Sequence, residues 1–183
     1  MHQNQFYFLR NEIFLPLLKI FIYSTTYSLK IFYLLYQKFM VTIKEINFKQ
    51  AKVCFLLDSQ SLRLWSLKQW QSELNKDNVK ALAVFKDEKI IGVCVFQMIL
   101  DEAELNYMAI HPEFLRKGFG QILFSEFLSI SGKYNVRKIF LEVSANNVSA
   151  INFYESFNFK TIRVREKYYK DGSDAILKAK VIC

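Results

Sequence analysis

The run Leu115-Arg116-Lys117-Gly118-Phe119-Gly120 places two glycines, one residue apart, beside two bases. It follows a strand-like segment, Leu105 to His111, and opens a helix-like one, Gln121 to Ser131. Glycines at such a turn let the backbone pass close to a ligand where a Cβ would collide. The first amides of the helix, Gln121 included, then point outward unpaired, and the helix dipole favours an anion. Arg116 and Lys117 add positive charge to the same turn. Together these features suit a pyrophosphate. A basic turn with two glycines is also an ordinary helix start, and the pattern alone leaves both uses open.

A second cluster lies downstream, from Leu141-Glu142-Val143-Ser144-Ala145-Asn146-Asn147 through Tyr154 to Phe157-Asn158-Phe159. In Lys138 to Ser144, alternation puts Ile139, Leu141 and Val143 on one face and Phe140, Glu142 and Ser144 on the other. Glu142 is thus a carboxylate in mid-strand, suited to proton transfer or to a solvated face where it pairs with a base. Asn147 stands where a helix should begin and is a good N-cap. Ala150, Ile151 and Tyr154 follow at helical spacing, so Tyr154 is a core aromatic, a proton-transferring phenol, or both.

The elements that must position these residues are readable in order. Val41 to Ile46 alternates as a strand, and Phe48 to Leu57 has helical spacing. An irregular stretch runs to Trp65-Ser66, and a second helix is expected over Leu67 to Leu74. Lys80 to Lys86 and Ile90 to Ile99 read as strands joined by the turn Asp87-Glu88-Lys89. Asp101-Glu102 turns into the next strand. After the glycine turn come a helix to about Ser131, the strand Lys138 to Ser144, a helix from Ser149 to Phe157, and strands near Phe159–Val164 and Ala175–Val181. Hairpins followed by strand-helix-strand units predict a mixed α/β sheet.

Composition sets the frame. A chain of 183 residues, 52% of them apolar and only two of them proline, suits one domain with a sizeable core. Three cysteines (Cys54, Cys94, Cys183) show no paired metal spacing, and their odd number argues against a disulfide framework. A reduced, cytoplasmic setting follows. The two histidines, His2 and His111, lie far apart, so no metal site is expected. The net charge is +8; four bases against one acid in residues 1–39 account for +3 and leave +5 for the rest. No RNA-binding motif accompanies that excess, and direct nucleic-acid binding is not expected.

Residues 1–39 differ from the remainder. Phe14-Leu15-Pro16-Leu17-Leu18, Ile20-Phe21-Ile22-Tyr23 and Ile31-Phe32-Tyr33-Leu34-Leu35-Tyr36 are apolar and aromatic. A membrane span needs about 20 apolar residues, yet Lys19 and Lys30 bracket a stretch that contains Ser24, Thr25, Thr26 and Ser28. The segment is a translated upstream stretch, a membrane-associated helix or anchor, or an extra helix packed on the domain. Met40-Val41-Thr42-Ile43 reads as the start of the first strand and favours the first of these. The division is therefore an N-terminal extension, 1–39, and one domain, 40–183, with membrane contact confined to the extension.

The two site clusters resemble the GNAT acetyltransferases, densely over Ala103 to Phe159. Thinner agreement extends from Met40 to Leu100 and to Tyr168-Tyr169 and Asp174-Ala175-Ile176. Within that superfamily they are most similar to the enzymes that acetylate the N-terminal alanine of a ribosomal protein. The resemblance implies a mostly antiparallel mixed sheet flanked by helices, with acetyl-CoA as cosubstrate and a protein N-terminus as acceptor. It implies acetyl-CoA contacts at Met108, Ala109 and Ile110, whose backbone pairs with the pantetheine arm, at Arg116, Lys117, Gly118, Phe119, Gly120 and Gln121, and at Asn147. It makes Glu142 the proton acceptor and Tyr154 the proton donor to the departing thiolate. The basic balance suits an anionic cosubstrate, and no cysteine falls in the matching motifs to carry a covalent acetyl group. Acetylation of a small amine or a lysine, a non-catalytic acyl-CoA-binding module, and a membrane-tethered interaction protein are the competing expectations.

Two departures stand out. Leu115 replaces the polar residue usual beside the pyrophosphate turn, and Asn158 replaces the glycine usual after the last helix. Asparagine tolerates the left-handed helix-end conformation, so that turn is expected to survive. The segment Lys170-Asp171-Gly172-Ser173 is short and is expected to shape the acceptor side.

Overall fold

The computed structural model describes residues 41–182. The expected N-terminal extension, 1–39, lies outside these. Chain order is β1 (Thr42–Ile46), α1 (Ala51–Gln60), α2 (Leu67–Glu73), β2 (Val79–Lys86), β3 (Lys89–Ile99), β4 (Glu102–Ile110), α3 (Phe119–Lys133), β5 (Lys138–Ser144), α4 (Val148–Ser156), β6 (Lys160–Arg165) and β7 (Ala175–Val181). The expected helix from Phe48 divides: Phe48–Gln50 is a 3-10 turn capped by Asn47, whose side chain accepts from Lys49 N, and α1 begins at Ala51. The β2–β3 turn is two residues, Asp87 and Glu88, both left-handed at φ 48 and 61, so Lys89 belongs to β3. Such a turn matches the twist of a hairpin. Leu100, also left-handed at φ 55, makes the following turn, and Glu102 opens β4 rather than turning into it. Among the described residues no helix is long and apolar enough to cross a membrane.

The seven strands lie in the order β1-β2-β3-β4-β5-β7-β6. Every neighbouring pair is antiparallel except β4 and β5, which run parallel. Two apolar layers cover the two faces. On one, Phe96, Leu105, Ile139 and Leu141 pack under α3 and α4 through Leu123, Phe124, Phe127 and Tyr154. On the other, Ala81, Val93, Val95 and Tyr107 pack under α1 and α2 through Cys54, Leu57 and Trp70.

Strand β4 changes its facing partway along. Val95 pairs with Tyr107 but Phe96 pairs with Leu105, so Asn106 is an extra residue opposite no partner. A bulge of this kind reverses which side successive residues face. Ala103 and Leu105 therefore serve the α3–α4 layer, whereas Tyr107 and Ala109 serve the α1–α2 layer. The same point marks a split in the sheet. Strand β4 pairs with β5 only over Glu102–Leu105 against Lys138–Leu141. Beyond it, Asn106–Ile110 has no β5 partner, and Glu142–Ser144 pairs with β7 alone.

Candidate active site

The split opens toward the glycine turn. His111 ends β4 and accepts from Glu113 N at Nδ1 (3.3 Å), which leaves the ring proton on Nε2 to donate to Gln60 Oε1 at 2.7 Å. The chain then makes a 3-10 turn, Pro112–Phe114, before Arg116 and Gly118 adopt left-handed backbones at φ 57 and 84. Gly118 caps α3, whose first internal bond joins Ile122 N to Gly118 O at 3.1 Å. The amides of residues 116–121 donate to no protein group among the described residues. A left-handed Gly118 followed by the helical Phe119 turns successive N–H groups to one side, an arrangement that forms an anion nest. The side chains contribute unequally. Phe119 is buried in the core, and Lys117 Nζ is turned back onto Glu113 O at 2.6 Å and the Phe114 ring. These two residues offer their amides to the nest; Arg116 and Gln121 also have exposed side chains.

Gly120 lies against Ile110 and Met108, and a Cβ there would sit 3.7 and 3.8 Å from their side chains, at ordinary contact distance. Met108, Ala109 and Ile110 border a cleft of about 230 Å³ whose far wall is Ser61, Leu62, Pro112 and Leu115. Leu115 is half exposed at this rim. Across the split, Asn147 caps α4 with its side-chain oxygen on Ala150 N at 3.0 Å, leaving its amide NH2 at the exposed surface. Asn158 is left-handed at φ 65, as the departure from glycine required.

Glu142 borders the split on one face of the sheet, and Tyr154 lies in the α3–α4 layer on the other face. The alternating burial of β5 puts Ile139, Leu141 and Val143 in the α3–α4 layer and Glu142 on the other face, with its side chain 26% exposed. Arg165 Nη1 donates to Glu142 Oε2 at 2.8 Å, and the Tyr169 hydroxyl lies 3.4 Å from Oε1. Tyr154 is a core aromatic, with Phe124, Phe153 and Phe159 around its ring. Burial, helped by the neighbouring Cys94 thiol, pushes its pKa above that of ordinary tyrosine, so the phenol keeps its proton at neutral pH. Burial and the Glu142 carboxylate likewise push Tyr169 up to about 12.

Two parts of this neighbourhood were not read from the sequence as site residues. Arg165 and Tyr169 lie 23 and 27 residues from Glu142, and only the β5–β7–β6 pairing unites them. Asp58 is fully buried behind the cleft. Its Oδ1 accepts from Leu64 N and Tyr107 OH, both at 3.0 Å, and its Oδ2 from Trp65 N and Trp70 Nε1 at 2.8 and 3.2 Å. Four donors satisfy the carboxylate and tie the α1–α2 connection to β4 beside Met108. Among the described residues no cluster of three metal-ligating side chains occurs.

The arrangement can hold a phosphate-type anion at the α3 start, take an extended chain along β4 and move protons at Glu142 and Tyr154. The chain is 34% identical over 101 residues to a ribosomal protein bS18-alanine N-acetyltransferase of Salmonella typhimurium, matching 54% of this chain and 68% of that protein. It is 40% identical over 74 residues to an N-alpha-acetyltransferase of Saccharolobus solfataricus, but spans only 44% of that protein's length. The crystal structure of the ribosomal-protein-S18-alanine N-acetyltransferase from Escherichia coli superposes with a TM-score of 0.75 at 29% identity, over 78% of this chain and 94% of that one. Residues 43–159, which carry the nest, the split and both proton-transfer candidates, match the acetyltransferase (GNAT) family, and the chain belongs to it.

Proposed function

We propose that this acetyltransferase transfers an acetyl group from acetyl-CoA to a protein N-terminal amine, with a ribosomal protein bearing an alanine-type N-terminus as the acceptor. Support for the cosubstrate comes from the unbonded amides of residues 116–121, which suit a pyrophosphate, and from the unpaired β4 edge at Met108–Ile110. An arm that carries amides can bond such an edge like an added strand. Asn147 offers its exposed NH2 group across the split. Support for the acceptor class comes from the two relatives, one named a ribosomal protein bS18-alanine N-acetyltransferase and the other an N-alpha-acetyltransferase. The proposed setting is cytoplasmic.

The reaction proceeds by direct transfer while both substrates are bound. A protein N-terminus has a pKa of about 7.7–8.0 and is mostly protonated at neutral pH. Glu142 takes one proton from this ammonium, directly or through a water, through its Oε1 atom, since Arg165 occupies Oε2. The freed amine attacks the thioester carbonyl carbon, a C–N bond forms, and the C–S bond breaks. The departing thiolate receives a proton from the Tyr154 phenol, which recovers one as the amine nitrogen loses its second. One proton reaches solvent through Glu142 for each acetyl transferred. Glu142, standing at the split with one oxygen uncommitted to an ion pair, is the observation that carries this reading over a binding module.

Glu142→Gln tests it. The change should lower kcat about 10²–10⁴-fold at neutral pH, the usual worth of a general base. Activity should partly recover at alkaline pH, where the acceptor amine loses its proton unaided. A thiol-release assay with acetyl-CoA and alanine-starting peptides, run as a pH–rate series, measures both. Wild-type kcat across the series would remove Glu142 from the mechanism.

A further inference from the structure

We infer that Arg165 is the positioning residue of Glu142: it holds Oε2 and thereby assigns Oε1 to the acceptor amine. This inference rests on the reading of Glu142 as the base. Arg165 ends β6, which is separated from β5 by β7. Ser144, Ala175 and Arg165 are register partners across the three strands, and Glu142 shares their face two residues back. The arginine side chain therefore reaches over the small Ala175 to Glu142.

The contact is made by one donor, Nη1 on Oε2 at 2.8 Å. An arginine can grip both carboxylate oxygens through its fork; here it takes one. Among the described residues the other oxygen meets only the Tyr169 hydroxyl at 3.4 Å, too far for a strong bond. The two oxygens are thus unequal, one committed and one open. The guanidinium is held in turn, with the Tyr168 ring 5.3 Å beneath it and Tyr169 packed edge-on against Tyr168. Both tyrosines sit on a closed turn. Gly172 N bonds Tyr169 O, Tyr169 N bonds Ser173 O, and Asp171 accepts from Ser173. The β6–β7 connection therefore fixes the rotamer of the carboxylate across the sheet.

A purely stabilising ion pair predicts something different. The two side chains are 40% and 26% exposed, and pairs of that kind contribute little to folding. Arg165→Ala should leave the melting temperature and the acetyl-CoA dissociation constant near wild type. Its kcat should fall about tenfold to a hundredfold, the scale of a misplaced reacting group. Arg165→Lys, which keeps a donor within reach of Oε2, should recover most of the loss. In the Glu142→Gln background Arg165→Ala should cost less than about twofold, because a residue acting through Glu142 has nothing left to position. Wild type, the two Arg165 variants, Glu142→Gln and the double variant, all full-length, are compared by steady-state kinetics with acetyl-CoA and an alanine-starting peptide. Wild-type kcat in Arg165→Ala, or the same loss in both backgrounds, would overturn the inference while leaving Glu142 as the base. Wild-type kcat in Glu142→Gln alone would remove the base and this inference together.

Discussion

Glu142 and Tyr154 are set in opposite surroundings. Glu142 is partly open and paired on one side, whereas Tyr154 is enclosed by rings and keeps its proton. Burial raises the phenol's pKa, which guarantees a proton to give and weakens the driving force for giving it. Transfer to a thiolate therefore depends on close placement more than on acidity. Tyr154→Phe removes one hydroxyl from a packed ring site and keeps the aromatic contacts with Phe124 and Phe153. The enzyme should fold normally and bind acetyl-CoA with little change, while kcat drops about 10²-fold. Equilibrium binding and turnover, measured on the same preparation, separate the two effects. A dissociation constant that rises in step with the loss of kcat would assign Tyr154 to binding instead.

At the scale of elements, the start of α3 is the proposed acetyl-CoA site. Its amides are unbonded because the first turn of a helix has no preceding carbonyls to bond and Gly118 has no side chain to cap them. Gly118 needs its glycine for conformation: at φ 84 a side chain is strained although nothing stands within 4 Å of a Cβ. Gly120 does not, since a Cβ there meets Ile110 and Met108 at ordinary distance. Gly120→Val therefore tests the ligand's approach with less damage to the turn than Gly118→Val. It should raise the acetyl-CoA dissociation constant at least about tenfold, or about 1.4 kcal/mol. Calorimetry on a folded variant that showed unchanged affinity would place the pyrophosphate elsewhere.

At the scale of the whole molecule, four weakly acidic groups among the described residues are enclosed in their neutral forms. Burial pushes Cys54 up to about 12 and raises Cys94, Tyr107 and Tyr154 further, the last two aided by Asp58 and Cys94 respectively. Raised folded values mean that the unfolded chain loses these protons first as pH rises. Their contribution is complete below the unfolded values, about 8.5 for cysteine and 10 for tyrosine, and is lost above them. Each group removes up to about 1.4 kcal/mol per pH unit between its two values. Denaturant titrations should show stability level to about pH 8 and falling steeply by pH 11. Replacing both Cys54 and Cys94 with alanine should flatten the first part of that fall. The domain's independence is a separate expectation. β1 starts at Thr42 and completes the sheet edge against β2, so a chain beginning at Met40 should be soluble and fully active. Insolubility or loss of most activity would make residues 1–39 a structural part of the enzyme.

Features that depend on neighbours within a turn or two were determined by the sequence alone. The glycine turn, the Asn147 cap, the left-handed Asn158 and the alternation of β5 are of this kind, because capping, left-handed backbones and period-two burial are local properties. Boundaries moved where a local signal was incomplete: α3 begins at Phe119, because its capping Gly118 precedes the visible apolar period. Only the tertiary structure decided what crosses strands. The Asn106 bulge turns β4 from one layer to the other while β3 alternates without a break, and the split between β4 and β5 begins there. Asp58 finds Tyr107 49 residues away, and Arg165 finds Glu142 only because β7 lies between their strands. Charge and residue type along the chain name the groups that can pair; the register of the sheet chooses which of them meet.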